Sequence, residues 1–475
     1  MPPHADPGGP MRQDEHGLTL SSASDAAVRR YDRAVHELLR FRAEVDGEAR
    51  AALAEDPDFP MGNVLAAYLG LLTTEPADAR EARERFAAFR SRVSGRALPP
   101  RERAHLRAVR ALLDGDFLTC GTLLGQITEE HPRDALALAV GHQIDFFTGD
   151  ARALRDRVGG ALSAWHEDDR HYGLLLGMYA FGLEEAGHYD RSEEVGLRAV
   201  ELDPEDVWGI HAVAHTYEMQ GRFGDGVRYL DDRLDDWSAG TFLNVHTWWH
   251  YCLFALEAGA TGKVLGVYDA VLAGGETAME ILDAAALLWR LLLEDSDQTE
   301  RWKALADAWA PKMEEPFYAF NDMHAVMSYV GADRIAEAER LIASRERYVA
   351  DGRGGGVTNV AMTARVGLPV CRALVAFGRR DYHGVVDLLY PIRHRINEFG
   401  GSHAQRDVVQ KTLVEAAIRS GRREARVLVS ERINVRPCSP FNWLKQSALA
   451  DDLGARAAAR LQAERLVRQA ALPFS

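Results

Sequence analysis

The sequence predicts an all-α fold of stacked helical hairpins, and three observations carry that reading. Turn glycines recur at Gly115, Gly149, Gly187, Gly221 and Gly259, with gaps of 34, 38, 34 and 38 residues. The segment 172–204, YGLLLGMYAFGLEEAGHYDRSEEVGLRAVELDP, holds one whole unit: an apolar helix, a turn at Gly187, a second helix and a closing proline. Apolar residues elsewhere recur at helical spacing, and no long segment alternates with period two.

A period of about 34 residues with that turn chemistry is the signature of a tetratricopeptide-type α-solenoid, a right-handed superhelix of hairpins. Residues 1–16, rich in Pro, Gly and Asp, read as a disordered leader, and residues 17–475 as one solenoid. Helix begins after the serines that start SSASDAAVRRYDRAVHELL, because a serine oxygen can cap the first free N–H groups. Further hairpins are expected at 61–93, 101–131 and 135–165. Beyond Gly259 the ladder skips to Gly331, the intervening hairpin turning at Glu294 and Asp295, and later turns fall at Gly378, Gly421 and Gly454. Gly-rich insertions at 351–360 and 399–407 interrupt the register and are expected to be loops. The only short β-like run is 433–436, and about twenty helices are expected.

A formal charge of −15 and the lack of any basic run interleaved with aromatics set nucleic acid aside as a partner. No apolar run suggests a bilayer span and the leader has no signal-peptide core, which points to a cytoplasmic protein. Cys120, Cys252, Cys371 and Cys438 are far apart, so neither a disulfide framework nor a thiolate zinc site is expected.

In such an array the first helix of each hairpin lines the inner surface, and histidines concentrate there. His211, His215 and Glu218 precede Gly221 by 10, 6 and 3 residues; His246 and His250 precede Gly259 by 13 and 9. His142, Asp322 and His324 hold comparable positions before Gly149 and Gly331. Two His-x3-His pairs place imidazoles one helical turn apart, where they can act as general acids and bases. His211, His215, His246 and His250 are also the residues to hold a divalent metal if one is bound, although the HExxH signature is absent. Hence His211, His215, Glu218, His246, His250, Asp322 and His324 are assigned catalytic roles.

Ligand-binding roles fall to His142, Trp249, Asp283, Arg290 and the GGSHAQRD segment with Ser402, His403, Arg406 and Asp407. Trp248 and Trp249 point about 100° apart, so only one can face the channel. Arg290, in an apolar helix, is expected to answer Asp283 or a ligand acid. Gly400 and Gly401 let the chain curl ahead of a helix capped by Ser402, where exposed N–H groups and Arg406 favour an anion. Trp165 and Trp208 read as packing anchors.

The ordered set IHAVAHTYEMQGR, VHTWWHYCLFALEAG, ILDAAALLWRL, FNDMHAVM and GGSHAQRD resembles the tetratricopeptide repeat protein 38 family, from about Gly17 to Arg436, and suggests a bacterial member. The resemblance implies the superhelix and supplies no reaction. Two functions are therefore expected in competition. One is a small-molecule site inside the superhelix, an enzyme by its His, Asp and Glu. The other is a scaffold binding a protein or peptide in the groove, the common use of such repeats. A homodimer is compatible with either. The histidine-rich, lysine-poor inner face favours the enclosed site.

Overall fold

The computed structural model describes residues 11–352 and 357–474. It is 76% helical, with 25 helices among the described residues and almost no strand. The expected hairpins are present as Pro60–Leu72 with Pro76–Arg92, Pro100–Leu113 with Phe117–Glu130, Ala135–Phe147 with Ala151–Ala161, and Tyr172–Glu185 with Tyr189–Leu202. The first long helix, Asp25–Leu39, is capped by Ser24, whose hydroxyl accepts from Ala27 N.

All five ladder glycines from Gly115 to Gly259 adopt positive φ, between 65° and 81°, which a Cβ would strain. Gly331 and Gly378 do not. There the left-handed residues are Asp333 and Arg380, and the glycines are required for space: a Cβ would strike Trp302 at Gly331 and Val330 at Gly378. Asp295 turns the hairpin that lacks a glycine. Gly421 does turn with positive φ, whereas Gly454 lies in the first turn of the Leu453–Ala471 helix.

Several expectations are corrected. Strand exists where a leader was expected: Met11–Gln13 pairs antiparallel with Thr19–Ser21, and only residues 1–10 of the leader lie outside the described residues. That hairpin is fastened by a relay of imidazoles, His16 Nε2 to His171 Nδ1 at 2.8 Å and His171 Nε2 to His36 Nδ1 at 3.2 Å. The β-like run 433–436 is instead the end of the Glu424–Val435 helix. Residues 358–360 open a helix, while 353–356 of the first insertion lie outside the described residues. One helix, Thr358–Gly378, is long and apolar enough to cross a membrane. It packs against Ala319–Gly331 and Ile335–Ala350, so its apolarity serves a protein core. Cys120, Cys252 and Cys371 are buried free thiols, and Cys438 is half-buried.

Helices far apart in sequence also close on one another. The His403–Arg419 helix packs on Ala278–Leu293 and on Val207–Gln220, and Leu453–Ala471 packs on Phe223–Asp231 and Asn244–Glu257. An array touching only sequence neighbours would leave one face of the Val207–Gln220 helix in water. Here every residue from Val207 to Met219 is buried. A helix buried on all sides must hold its polar side chains in internal pairs, and that requirement shapes the site.

Candidate active site

Four imidazoles meet between two neighbouring helices. His211 and His215 lie one turn apart on Val207–Gln220, and His246 and His250 one turn apart on Asn244–Glu257. His211 Nε2 is 3.0 Å from His246 Nε2, which is 3.3 Å from His250 Nε2. The His215 ring sits 4.2 Å from that of His250 and 4.4 Å from that of His211, centroid to centroid. One nitrogen from each of the four lies within 4.8 Å of all the others. Burial, reinforced by the neighbouring imidazoles, holds His211, His215 and His250 well below the usual imidazole pKa, so they are neutral at physiological pH.

Carboxylates stand behind three of the rings. His246 Nδ1 donates to Asp283 Oδ2 at 2.7 Å and His250 Nδ1 to Glu218 Oε2 at 3.0 Å; His215 Nδ1 is 3.5 Å from Glu184 Oε2. Burial pushes Glu218 up, and burial together with Glu185 and Glu218 pushes Glu184 well above the carboxylate range. Asp283 is steadied in turn by Gln405, whose Nε2 lies 3.5 Å from Asp283 Oδ1 and whose Oε1 accepts from Ser402 N at 3.1 Å. Ser402 completes the box by accepting from Gln405 N at 3.2 Å. The capped helix start thus sets the second carbonyl-bearing side chain behind His246.

The imidazoles form part of the wall of a cavity of about 860 Å³. Beside the imidazoles, His142, Ser402 and Gln405 add polar groups and Phe146, Phe181, Trp208, Phe41, Leu243 and Met279 are among the apolar walls, while Arg50, Glu81, Arg85 and Arg92 line the cavity as exposed charges. The apolar surface beside the imidazoles suits a small ligand that is apolar where it meets them, and the charged lining suits polar groups elsewhere on it. Trp208 does both jobs: it stacks on Phe41 at 4.6 Å and donates from Nε1 to His142 Nε2 at 3.2 Å while facing the cavity. His250 stands behind the other three, away from the cavity wall. Trp249, not Trp248, is the inward ring, stacked on His246 at 5.3 Å; Trp248 packs outward on Trp237 and Tyr251.

The remaining assignments divide. His324 bonds the Phe320 carbonyl through Nδ1 and Asp322 is held by Arg345 at 2.8 Å, so neither joins the cluster; the hairpin that carries them turns its polar side chains into its own core. Arg290 answers no acid directly: it donates to the Ala286 and Ala404 carbonyls and lies 5.3 Å over Trp249. Arg406 and Asp407 do not pair with each other. Asp407 is held by Arg432 at 2.6 Å, and Arg406 donates to Glu185 Oε2 at 3.1 Å. The anion expected at the helix start is internal, since His403 N donates to Glu185 Oε1 at 2.6 Å. Although burial opposes it, His403 and Arg406 hold Glu185 below the ordinary carboxylate range. Gly400 and Gly401 adopt positive φ and press against Tyr318, Phe147 and Phe320, so this segment is packed in place and is no mobile lid.

Glu184, Phe181 and Gln405 were absent from the sequence-based set. A signal for the first two existed: Glu184 and Phe181 precede Gly187 by 3 and 6 residues, as Glu218 and His215 precede Gly221. Searched against models of protein families, the chain matches none.

Proposed function

We propose that this chain is a tetratricopeptide-type helical-repeat enzyme that acts on a small, largely apolar molecule inside the superhelix. The observation that carries the reading is the convergence of four imidazoles, three of them fully shut in, beside a cavity that His211, His215 and His246 help to wall. Buried polar groups are costly, and His215 has no hydrogen-bond partner on either ring nitrogen. A protein retains such a cost where a ligand recovers it.

Within this reading His246 is the reactive imidazole, a base in the metal-free protein and a ligand where a metal ion is bound. Asp283 fixes its proton on Nδ1, so Nε2 carries a free lone pair, and 15% of its side chain remains exposed while the other three rings are shut in. His211 and His215 polarise or accept hydrogen bonds from the bound molecule, and Glu218 orients His250. The burial of the imidazoles and the apolar side chains beside them strengthen each of these interactions. The sequence resemblance to the tetratricopeptide repeat protein 38 family and the placement of the protein in the cytoplasm belong to the same proposal.

A thermal-shift and native mass-spectrometry screen against apolar acids, esters, amides and aldehydes tests it. A hit whose binding is weakened at least tenfold by Phe181→Ala or His211→Ala supports the reading. Binding only of extended peptides, insensitive to both substitutions, would establish the scaffold instead.

A further inference from the structure

Among the described residues two imidazole clusters differ in the number of protons their nitrogens require. In the relay that fastens the N-terminal hairpin, Nε2 of one ring meets Nδ1 of the next, at 2.8 Å and then at 3.2 Å. One proton per neutral ring satisfies both links, each with a donor and an acceptor. That cluster needs no cation.

The inner cluster cannot be satisfied in this manner. Asp283 takes the proton of His246 on Nδ1 and Glu218 takes that of His250 on Nδ1. Both Nε2 atoms are then bare lone pairs, and they face each other at 3.3 Å. His211 Nε2 stands 3.0 Å from His246 Nε2, on the same side. His215 turns Nδ1 toward Glu184, leaving Nε2 with no partner. A proton bridges two atoms along one line and cannot serve four nitrogens. His211 can donate from Nε2 to His246, but no proton is left for the His246–His250 contact or for His215 Nε2; with every proton on Nδ1 the four rings turn lone pairs inward, three of them backed by a carboxyl group, and make the ligand set of a metal ion.

We propose that His211, His215, His246 and His250 bind one divalent first-row transition ion through Nε2, oriented by Asp283, Glu218 and Glu184 from behind. Ligand nitrogens of a tetrahedral zinc ion with metal–nitrogen bonds of about 2.0–2.1 Å stand about 3.3 Å apart. The separations of 3.0 and 3.3 Å agree with that edge. An all-imidazole set suits zinc, cobalt, nickel, copper or ferrous iron and disfavours magnesium and calcium, which require oxygen ligands. His211, His215 and His246 wall the cavity while His250 lies behind them, so an additional coordination position opens toward the cavity for water or a substrate oxygen. The ion site stands on the imidazole geometry alone; that the ion works on the occupant of the cavity rests on the function proposed above.

The test uses the full chain, stripped with a chelator and titrated with Zn²⁺ and with Co²⁺ by calorimetry, with metal content checked by inductively coupled plasma mass spectrometry. One ion per chain is expected, unchanged in His383→Ala, whose imidazole is exposed and remote. His246→Ala and His250→Ala should abolish binding, and Asp283→Asn and Glu218→Gln should weaken it about 10- to 100-fold. X-ray absorption of the cobalt-loaded wild type, which depends on no variant folding, should show three or four imidazole nitrogens at about 2.0–2.1 Å. Folded wild-type protein that takes up neither ion, or an ion bound by oxygen ligands only, overturns the site. An ion bound with no apolar ligand keeps this site and sinks the proposed function; an apolar ligand bound by protein that takes up no ion does the reverse.

Discussion

Replacing His215 with leucine should stabilise the metal-free protein, although the residue is wholly buried. Neither ring nitrogen of His215 has a hydrogen-bond partner, and the nearest oxygen, on Glu184, is 3.5 Å away. Each buried polar group left unpaired costs about 1–3 kcal/mol, and leucine removes two of them. Shape mismatch in a packed site returns about 1–3 kcal/mol of that gain. At the middle of each range a net stabilisation of about 2 kcal/mol remains. Unfolding entropy of about 2.1 cal/mol/K per residue, over 475 residues, is about 1 kcal/mol/K, so the gain corresponds to a rise in Tm of about 2 °C. His250→Leu makes the same chemical change 4.2 Å away, yet it strips buried Glu218 of its donor at Oε2 and leaves Arg436, 3.6 Å from Oε1, as its ion-pair partner. It should lower Tm by a similar amount. Differential scanning calorimetry of both variants in chelator, against wild type, reads the pair. A His215→Leu variant that melts several degrees early would refute the reasoning, because it would show the ring to be a packed and satisfied core group.

Three further outcomes follow from named contacts. His16, His36 and His171 are held below the usual imidazole value by burial, the first two at about 4 and His171 at about 2. The unfolded chain takes up protons as pH falls through about 6.5 while the folded relay stays neutral, so the stability it contributes is complete above pH 6.5 and is lost toward pH 4; protease cleavage within residues 11–21 should accelerate across that window, with Glu15, Asp32, Arg133 and Arg170 as the neighbouring charges. Arg432→Ala should cost about 3–5 kcal/mol in chemical denaturation, because Asp407 loses its 2.6 Å partner in a buried site. Gly400→Ala, at φ 88° and against Tyr318 and the Phe147 carbonyl, should lower Tm and weaken ligand binding through the displaced Ser402 cap, whereas Gly187→Ala, with open space around it, should cost only about 1 kcal/mol.

The helical hairpins were legible because a left-handed turn residue leaves a local mark: glycine at five successive turns. The same rule misled at Gly331 and Gly378, where the chain needs space instead of φ and aspartate or arginine makes the turn. The four histidines could be found because they share one face of two helices. Their partners could not be found in full, since a carboxylate from the next hairpin meets an imidazole only at the packing angle the helices adopt. Thus Asp283 and Glu184 reach the cluster while Asp322, one hairpin beyond Asp283, is taken by Arg345. The anion preference expected at GGSHAQRD is met by Glu185, 218 residues away in sequence, which no local pattern could reveal. Strands of three residues are too short to show a period of two, which is why the N-terminal hairpin was missed.

The central claim, that the imidazole cluster is the reactive wall of a small-molecule site, is tested most directly by nitrogen NMR of protein labelled only in histidine side chains. Titrated with a ligand from the screen, the signals of His211, His215 and His246 should shift together, while those of His324 and of His105, buried against Asp134 at 3.0 Å outside the cavity lining, stay fixed. A ligand that saturates the protein and leaves the three signals unmoved would contradict the account.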